Sequence, residues 1–309
     1  MIELQESLKK IIERYIAQMI PLTQNSSSGD NSIYIQSTRR FRPGDYVVIR
    51  PVNLVDSDTV ENVEVLCVSR VADRNTLVFS ENMIQNYNAN EHIVQKLIGY
   101  QAGNTDFLKA IYLGDPAVIP QFPAITIDAK TRDSSWLTLE STSEKYEIDI
   151  TVYIDGQTHH ETQYRLMHFY VKQIEQALFR TLYPLVEPYK KTTLTNDVLP
   201  TDDIIKVDDE NFFQCGMGWI FLESLDYLVP NRIEEHLGNG VFKLVRPIGT
   251  YFSAGDSIIH PLRHIYNTLP YNTRYGTINK GSMLKAAVIS YRAEEEVRRY
   301  QPYIDPLTF

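Results

Sequence analysis

The stretch Tyr146–Pro184 constrains the fold most, because it predicts a strand, a turn and a helix in direct succession. Its start alternates between apolar and polar side chains, which is typical of a strand with one buried face. Asp155-Gly156 then offers a tight turn, since glycine readily adopts a positive φ. Apolar residues at three- and four-residue spacing follow and predict an amphipathic helix that Pro184 ends. The apolar positions are Tyr146, Ile148, Ile150, Val152 and Ile154 in the strand, and Met167, Tyr170, Val171, Ile174, Ala177, Leu178 and Leu182 in the helix.

Short β segments on both sides of this unit predict additional small β elements. Residues 32–100 hold four or five short strands separated by turn residues, and this spacing suggests a small barrel. A second cluster of short strands lies at Val241–Leu262. Its segment Phe252–Pro261 resembles Phe41–Pro51 in outline, which suggests two related elements. Coincidence is the alternative, because Gly-Asp turns before strands are common.

The predicted fold class is α+β, with a central mixed or antiparallel sheet, flanking helices and one or two inserted barrel-like elements. An apolar stripe from Leu4 to Ile20 predicts an N-terminal helix. We expect residues 25–31 to form a flexible linker, and 190–210 and 267–282 to form loops. The predicted divisions are the N-terminal helix and linker (1–31), a β-rich insertion (32–100), the α/β core (101–229), a second β-rich insertion (230–280) and the last core strand with a C-terminal arm (281–309).

Composition is typical of soluble globular proteins and limits the partners. With 309 residues, of which 43% are hydrophobic and 22% charged, the chain suffices for one to three domains. The net charge of −9 argues against tight binding of phosphate backbones, although it allows DNA to slide past. The 20 tyrosines suit surfaces that partners bury, and equally a tyrosine-rich core. No apolar run is long enough to span a membrane, so we expect no membrane partner.

The sequence contains none of the common catalytic or cofactor motifs. It lacks a phosphate-binding glycine loop, a dinucleotide-binding glycine motif, a nucleophile elbow and a zinc-protease motif. His159, His160 and His168 cluster near the helix start, but a metal would need distant carboxylates as well, and surface imidazoles are the simpler interpretation. Cys67 and Cys215 are expected to be buried thiols in a reducing compartment, and a single disulfide between them is the alternative. We therefore expect no enzyme, no cofactor and no metal.

The order of elements resembles that of the tail terminator (tail completion) proteins of long-tailed, contractile bacteriophages. The resemblance rests on the strand Tyr146–Ile154, the helix end Ile174–Leu178, and a late strand Val288–Tyr291 that leads into charged residues 294–299. The proline-rich segment Gly114–Ile125, before the first core strand, is similar to neck proteins of such phages. This resemblance covers about half of the chain, and the β-rich insertions depart from the smaller members of the family.

The resemblance implies a structural, non-catalytic virion protein. Six copies would form a homohexameric ring at the head-proximal end of the tail, assembled in the host cytoplasm, and this ring would end growth of the tail tube and sheath. The implied partners are further copies of the chain, the tail tube and sheath proteins, the head–tail connector, and genome DNA that crosses the lumen without specific binding. The alternatives are a head–tail connector or stopper, and a baseplate or adhesin module that binds carbohydrate through its tyrosines.

A candidate subunit interface follows from the same strand. We expect Tyr146–Ile154 to present a free edge to the next subunit, because rings remove open strand edges. Glu147 and Asp149, on its polar face, are expected to line the lumen. The predicted interface residues are Tyr146, Ile148, Glu147, Asp149, Tyr291, Glu294, Glu295 and Arg298.

Overall fold

The described residues form two six-stranded β units and one five-stranded sheet with α-helices on one face. Strands make up most of the regular structure, so the fold is largely β, and the predicted α+β class overestimates the helical part. The computed structural model describes residues 1–17, 19–51, 63–97, 108–116, 119, 122–138, 141–155, 160–180, 185–187, 189–213, 219–224, 227–263, 265–277 and 284–298.

The N-terminal helix is shorter than its apolar stripe predicts. Helix α1 spans Ile2–Ile12, a π-helical turn follows at Glu13–Ala17, and the chain is already extended at Met19–Pro21. Leu8 packs in the core of the five-stranded sheet, whereas Ile20 packs in the first β unit. The apolar stripe therefore belongs to two cores: its first part packs against the five-stranded sheet, and its last part packs in the first β unit.

Six antiparallel strands form the first β unit: β1 (Met19–Pro21), β2 (Ser32–Tyr34), β3 (Tyr46–Pro51), β4 (Glu64–Val71), β5 (Thr76–Phe79) and β6 (His92–Lys96). Their order is β1-β6-β3-β4-β5-β2. A bridge between Leu22 and Ile35, just beyond β1 and β2, joins the two ends of this order. The sheet therefore curls into a small barrel, as the strand spacing predicts, and we call it barrel 1.

Residues 25–31 are the β1–β2 loop of barrel 1, and the linker prediction is wrong. Ser26 and Tyr87 exchange two backbone hydrogen bonds of 2.9 Å, and the Asp30 carboxylate accepts the Ser27 N–H at 2.8 Å. Ser, Asn and Asp favour tight turns as much as linkers, because their side chains bond to nearby backbone. Barrel 1 thus begins at Met19 rather than at Ser32.

The strand and the helix predicted within Tyr146–Pro184 are confirmed in the next part of the chain, whereas Gly156 of the predicted turn lies outside the described residues. Strands β7 (Ala110–Leu113), β8 (Ala124–Trp136) and β9 (Ser141–Asp155) precede helix α2 (His160–Arg180). β7 runs parallel to β8, and β8 runs antiparallel to β9. The apolar face of β9 and the apolar stripe of α2 pack together, since Ile150 and Ile174 are both fully buried in one cluster.

Six further strands form a second small barrel, barrel 2: β10 (Tyr189–Thr193), β11 (Ile204–Lys206), β12 (Trp219–Glu223), β13 (Leu228–Gly238), β14 (Val241–Leu244) and β15 (Ser257–Pro261). The prediction of a loop at 190–210 is therefore wrong for residues 190–193 and 204–206, which belong to β10 and β11. Both strands are short, β10 is mostly polar, and only one side chain in each strand is fully buried. Barrel 2 begins well before the expected start of the second insertion at residue 230.

The two barrels have the same topology. Barrel 2 has the strand order β10-β15-β12-β13-β14-β11, which repeats the order of barrel 1 element by element. Its closing contacts also recur. The bridge Leu194–Val207 matches Leu22–Ile35, Val198–Phe252 matches Ser26–Tyr87, and the Asp202 carboxylate accepts the Leu199 N–H at 2.8 Å as Asp30 does for Ser27. The chain therefore contains an internal structural repeat.

The two segments that resemble each other in sequence do not occupy equivalent positions in the structural repeat. Phe41–Pro51 leads into β3, whereas Phe252–Pro261 leads into β15, and β15 occupies the place of β6 in the strand order. The two segments share a turn followed by a buried strand, which is a local likeness. The repeat itself is seen in the pattern of backbone pairing and in equivalent residues such as Leu22 and Leu194, or Asp30 and Asp202.

The last two strands complete the five-stranded sheet. They are β16 (Ile265–Thr277) and β17 (Leu284–Arg298), and the sheet order is β16-β17-β9-β8-β7. The expected late strand at Leu284–Tyr291 is confirmed and is longer. The expected loop at 267–282 is wrong for residues 267–277, which belong to β16. Helices α1 and α2 contribute to the same buried cluster as one face of this sheet.

Candidate subunit interface

The strand predicted to carry the interface, β9, lies in the middle of the sheet. It pairs with β17 on one side over its whole length and with β8 on the other from Thr142 to Tyr153. A strand with two neighbours has no free backbone edge, so the expected edge pairing of Tyr146–Ile154 is wrong. Alternation of side chains reveals which face is buried, but it does not reveal whether other strands flank the segment.

Three predicted interface residues lie inside the chain's own core. Tyr146, Ile148 and Tyr291 are 1–2% exposed, and all three belong to the cluster beneath α1 and α2. Their side chains stabilise the single chain, and the surface of one chain does not present them to a second copy.

A polar network links β8, β9, β17 and the connection that follows β15, and its Tyr146, Glu144 and Glu295 side chains are buried. The Tyr146 hydroxyl lies 2.5 Å from Glu144 Oε2 and 2.9 Å from Glu295 Oε2. Arg132 donates to both oxygens of Glu144, at 3.0 and 2.7 Å, and Arg263 donates to both oxygens of Glu295, at 2.7 and 2.6 Å. The two buried carboxylates are each paired with a guanidinium group, which is how buried charges are tolerated, and the Arg132 side chain is itself 55% exposed.

This network also fixes barrel 2 to the sheet. Arg263 follows β15, and it donates a third hydrogen bond, of 3.1 Å, to the carbonyl of Glu187, just before β10. One guanidinium thus holds both chain connections of barrel 2 against β17. The hydrogen bonds to Glu295 raise the pKa of Arg263, and those from Arg132 lower the pKa of Glu144. Burial is the main cause that raises the pKa of Tyr146.

The second face of the sheet is polar and carries both signs of charge. Glu147 accepts a hydrogen bond from Arg292 at 3.1 Å, and Asp149 accepts one from Ser290 at 2.8 Å. A guanidinium nitrogen of Arg274 lies 4.0 Å from Asp149. Glu147 and Asp149 therefore lie where the alternation predicts, but arginines on neighbouring strands partly compensate their charge.

The remaining predicted interface residues lie on β17. Glu294 is half-buried, accepts a hydrogen bond from the Asn267 side chain at 2.9 Å and lies 4.0 Å from Lys145. Glu295 belongs to the buried network above. The backbone of Arg298 pairs with Ser141 at the end of the strand, and its side chain lies outside the described residues.

The sheet has three stretches of strand edge that no strand covers within the described residues: the outer side of β16, the outer side of β7 and the C-terminal part of β8. β16 is the last strand on one side, and its exposed side chains include Asn272, Arg274 and Tyr275. On the other side, β7 pairs only with Ala124–Ile127 of β8. Residues 130–136 of β8 pair with β9 alone, and every side chain in this stretch is exposed, including Trp136 at 62%.

Sequence reasoning missed the edge strand β16 because its composition gives mixed signals. Asn267, Pro270 and Gly276 favour turns. Tyrosine and threonine, which favour strands, recur at Tyr266, Thr268, Tyr271, Thr273 and Tyr275. The second signal was present in the sequence and could have identified the strand.

The described residues contain no group of three or more His, Cys, Asp and Glu side chains placed to hold a metal. His168 packs between Tyr164 and Tyr275, with ring centroids 4.4 and 4.3 Å apart. The side chains of His159 and His160 lie outside the described residues, as does Cys215. Cys67 is a half-buried free thiol. Among the described helices, none has the length and apolar character needed to cross a bilayer.

Comparison with known proteins gives only partial structural likenesses. No family model matches the sequence, and no curated protein matches it. One similar solved structure is the Gp54 tailspike of Acinetobacter baumannii bacteriophage AP22 in complex with capsular saccharide, at 20% identity and a TM-score of 0.22, covering 25% of this chain and 14% of the tailspike. Another is the tailspike gp49 from Pseudomonas phage LKA1, at 16% identity and a TM-score of 0.23, covering 31% of this chain and 16% of that one. Likenesses of this extent do not define a shared fold.

Proposed function

We propose that this chain is a structural subunit of a bacteriophage tail, and that copies of it form a ring at the head-proximal end of the tail. The ring ends growth of the tail tube and sheath and joins the tail to the head connector. The resemblance of the strand–helix–strand order to tail terminator proteins supports this proposal. The structural observation that supports it best is the five-stranded sheet, whose two sides both carry uncovered strand edge.

Uncovered edges matter because backbone N–H and C=O groups at a sheet edge are free to pair with another chain. Copies that associate edge to edge continue the sheet, and a ring is the closed arrangement in which no edge is left. The two barrels are closed units beside this sheet, so they are free to contact neighbouring tail proteins. The proposed partners are therefore further copies of the chain, the tube and sheath proteins, and the connector.

The polar face of the sheet suits a lumen that DNA crosses without binding. Because Glu147 and Asp149 are close to Arg292 and Arg274, the face offers phosphate groups neither a strong basic patch nor a strong acidic one. The double substitution Glu147→Lys and Asp149→Lys would make this face basic, and we expect slower genome ejection with intact rings. The control is Asp208→Lys with Glu235→Lys, which makes the same charge change on exposed positions of barrel 2.

The mass of the purified chain in solution, measured by light scattering, tests the ring directly. A hexamer of the 35.7 kDa chain supports the proposal. A trimer favours a baseplate or adhesin module instead, since receptor-binding parts of tails are commonly trimeric. A chain that is monomeric alone should bind at one end of added tail tubes, which electron microscopy would reveal. A chain that is monomeric and also ignores tail tubes contradicts the proposal.

A further inference from the structure

We infer that neighbouring copies associate by pairing the C-terminal half of β16 in one copy with the open part of β8 in the next, as an antiparallel continuation of the five-stranded sheet. The inference deepens the proposed function and rests on it, because it names the two surfaces that would join subunits in the ring. The partner is a second copy of this chain.

The open part of β8 has a defined length. β7 covers Ala124–Ile127, and a bulge lies between Ala129 and Thr131. Beyond the bulge the strand is regular and reaches Trp136 in register with β9. Alternate residues of the stretch 131–135 therefore direct backbone groups to the side away from β9, and β7 limits how far an added strand can extend.

The two halves of β16 differ in how well they are protected against pairing. The N-terminal half contains Pro270 and two bulges, at Tyr266–Leu269 and Pro270–Asn272, and such features are common ways to keep an edge from pairing. The C-terminal half, residues 272–277, pairs regularly with β17 and has neither a bulge nor a proline. Only this half is suited to receive another strand, and its length is close to that of the open part of β8.

The strand directions favour pairing between the two different edges. Since β16, β17, β9 and β8 alternate in direction, β16 of one copy placed beside β8 of another in a continuous sheet runs antiparallel to it. The contact uses different surfaces on the two copies, so it can repeat from copy to copy. Such a contact produces a ring when the rotation closes and a filament when it does not.

Matching of the two faces fixes the register. Arg274 shares a face with Thr151 and Asp133 with Lys145, which is the polar face of the sheet. Thr273 and Ser134 lie on the opposite face, in the rows of Ile150 and Glu144. A register that keeps both faces continuous and fills the open part of β8 places Arg274 opposite Asp133.

This register is also complementary in charge and chemistry. Arg274 and Asp133 carry opposite charges, and opposite charges directly across a strand pair are favourable. Tyr275 falls opposite Arg132, an arrangement that allows a cation–π contact. Thr273 falls opposite Ser134, two small polar side chains that are compatible across strands.

Cysteine cross-linking tests the pairing and its register. In a background with Cys67→Ser and Cys215→Ser, the double variant Ser134→Cys with Thr273→Cys should form disulfides between copies under mild oxidation. Directly opposed residues have Cα atoms about 4.5–5.5 Å apart, which is within the range of a disulfide. We expect a ladder of covalent multimers on non-reducing gels that ends at the size of the ring. The matched control, Ser134→Cys with Asn267→Cys, moves the second thiol into the protected half of β16 and should give no ladder.

A charge-swap cycle gives a second, independent readout. Asp133→Arg and Arg274→Asp should each raise the dissociation constant between copies about tenfold, because like charges would then face each other. The double variant restores the opposite pair and should recover most of the affinity. Rescue by the double variant would not occur if each change acted only within its own chain.

The possible outcomes separate the inference from the proposed function. A ladder from the double-cysteine variant together with charge-swap rescue establishes the pairing. Dimers from Thr273→Cys alone would show that two β16 strands pair with each other, which overturns the inference. A hexamer in light scattering without the ladder overturns it and leaves the ring standing. Cross-linked ladders from a chain that never binds tail tubes would support the pairing and contradict the tail function.

Discussion

The two barrels and the five-stranded sheet are built mainly from antiparallel strands, yet the barrels join their two edge strands and the sheet leaves its edges open. Each barrel joins the ends of its strand order through a bridge, Leu22–Ile35 in barrel 1 and Leu194–Val207 in barrel 2. The sheet covers one face with helices but leaves β16 and part of β8 without a second neighbour among the described residues. A barrel is complete within one chain, whereas the sheet has backbone groups available to another chain. The comparison indicates that assembly depends on the sheet.

The largest expected effect concerns whether the two regions are separate cooperative units. Ile150→Ala in the sheet and Ile258→Ala in barrel 2 each remove a fully buried side chain, so each should lower the free energy of unfolding by about 2–5 kcal/mol. Hydrogen exchange should quicken in the sheet for the first variant and in barrel 2 for the second. Equal quickening in both regions for both variants would show one unit, and the contrast between barrels and sheet would then be structural only.

A smaller effect is expected where barrel 2 is fixed to the sheet. Tyr146→Phe removes a buried hydroxyl that two carboxylates share, so it should cost about 1–3 kcal/mol in denaturant unfolding. Tyr153→Phe, a half-buried tyrosine of the same strand, is the matched control and should change stability by less than about 0.5 kcal/mol. Equal losses from the two variants would mean that the network does not stabilise the junction.

The same network predicts an acid dependence of stability. The pKa of Glu144 is lowered, chiefly by the hydrogen bonds from Arg132. A carboxyl whose pKa falls on folding stabilises the protein above its unfolded value, near 4.3, and this contribution is lost as the pH falls through the folded value. Glu144→Gln should therefore weaken the fall in melting temperature below about pH 4. An unchanged slope relative to the parent chain would assign the acid dependence to other carboxyls.

The smallest effect is expected at the contact between the barrels. Arg74 donates to Ser253 Oγ at 2.8 Å and to the Tyr251 hydroxyl at 3.3 Å, while its guanidinium stacks on the Tyr251 ring. The Tyr251 hydroxyl in turn donates to Asp197. Because these groups are exposed, Arg74→Ala should reduce stability by less than about 1 kcal/mol. Arg70→Ala, at another exposed position of barrel 1, should have no measurable effect, and a larger loss there would contradict a specific barrel–barrel contact.

Local patterns predicted the parts of the fold that neighbouring residues decide. The alternation in β9 and the three- and four-residue spacing in α2 both reflect burial on one face, and the structure confirms both elements. Short strands separated by turns predicted barrel 1 for the same reason. The loop predictions at 190–210 and 267–282 were wrong where β10, β11 and β16 lie, because short strands such as β10 and the edge strand β16 show little apolar alternation.

The candidate interface shows that local sequence patterns predict the buried face of a strand but not its position in the sheet. The sequence alone determined that Glu147 and Asp149 lie on the polar face of a strand opposite Ile148 and Ile150. Only the tertiary structure decided that this strand is central and that β16, β7 and the open part of β8 provide the edges. Pairing of strands far apart in sequence sets the strand order, as it does for the repeat shared by the two barrels. Side-chain period reports which face is buried, but strand order depends on long-range backbone hydrogen bonds that the residues of one segment do not encode.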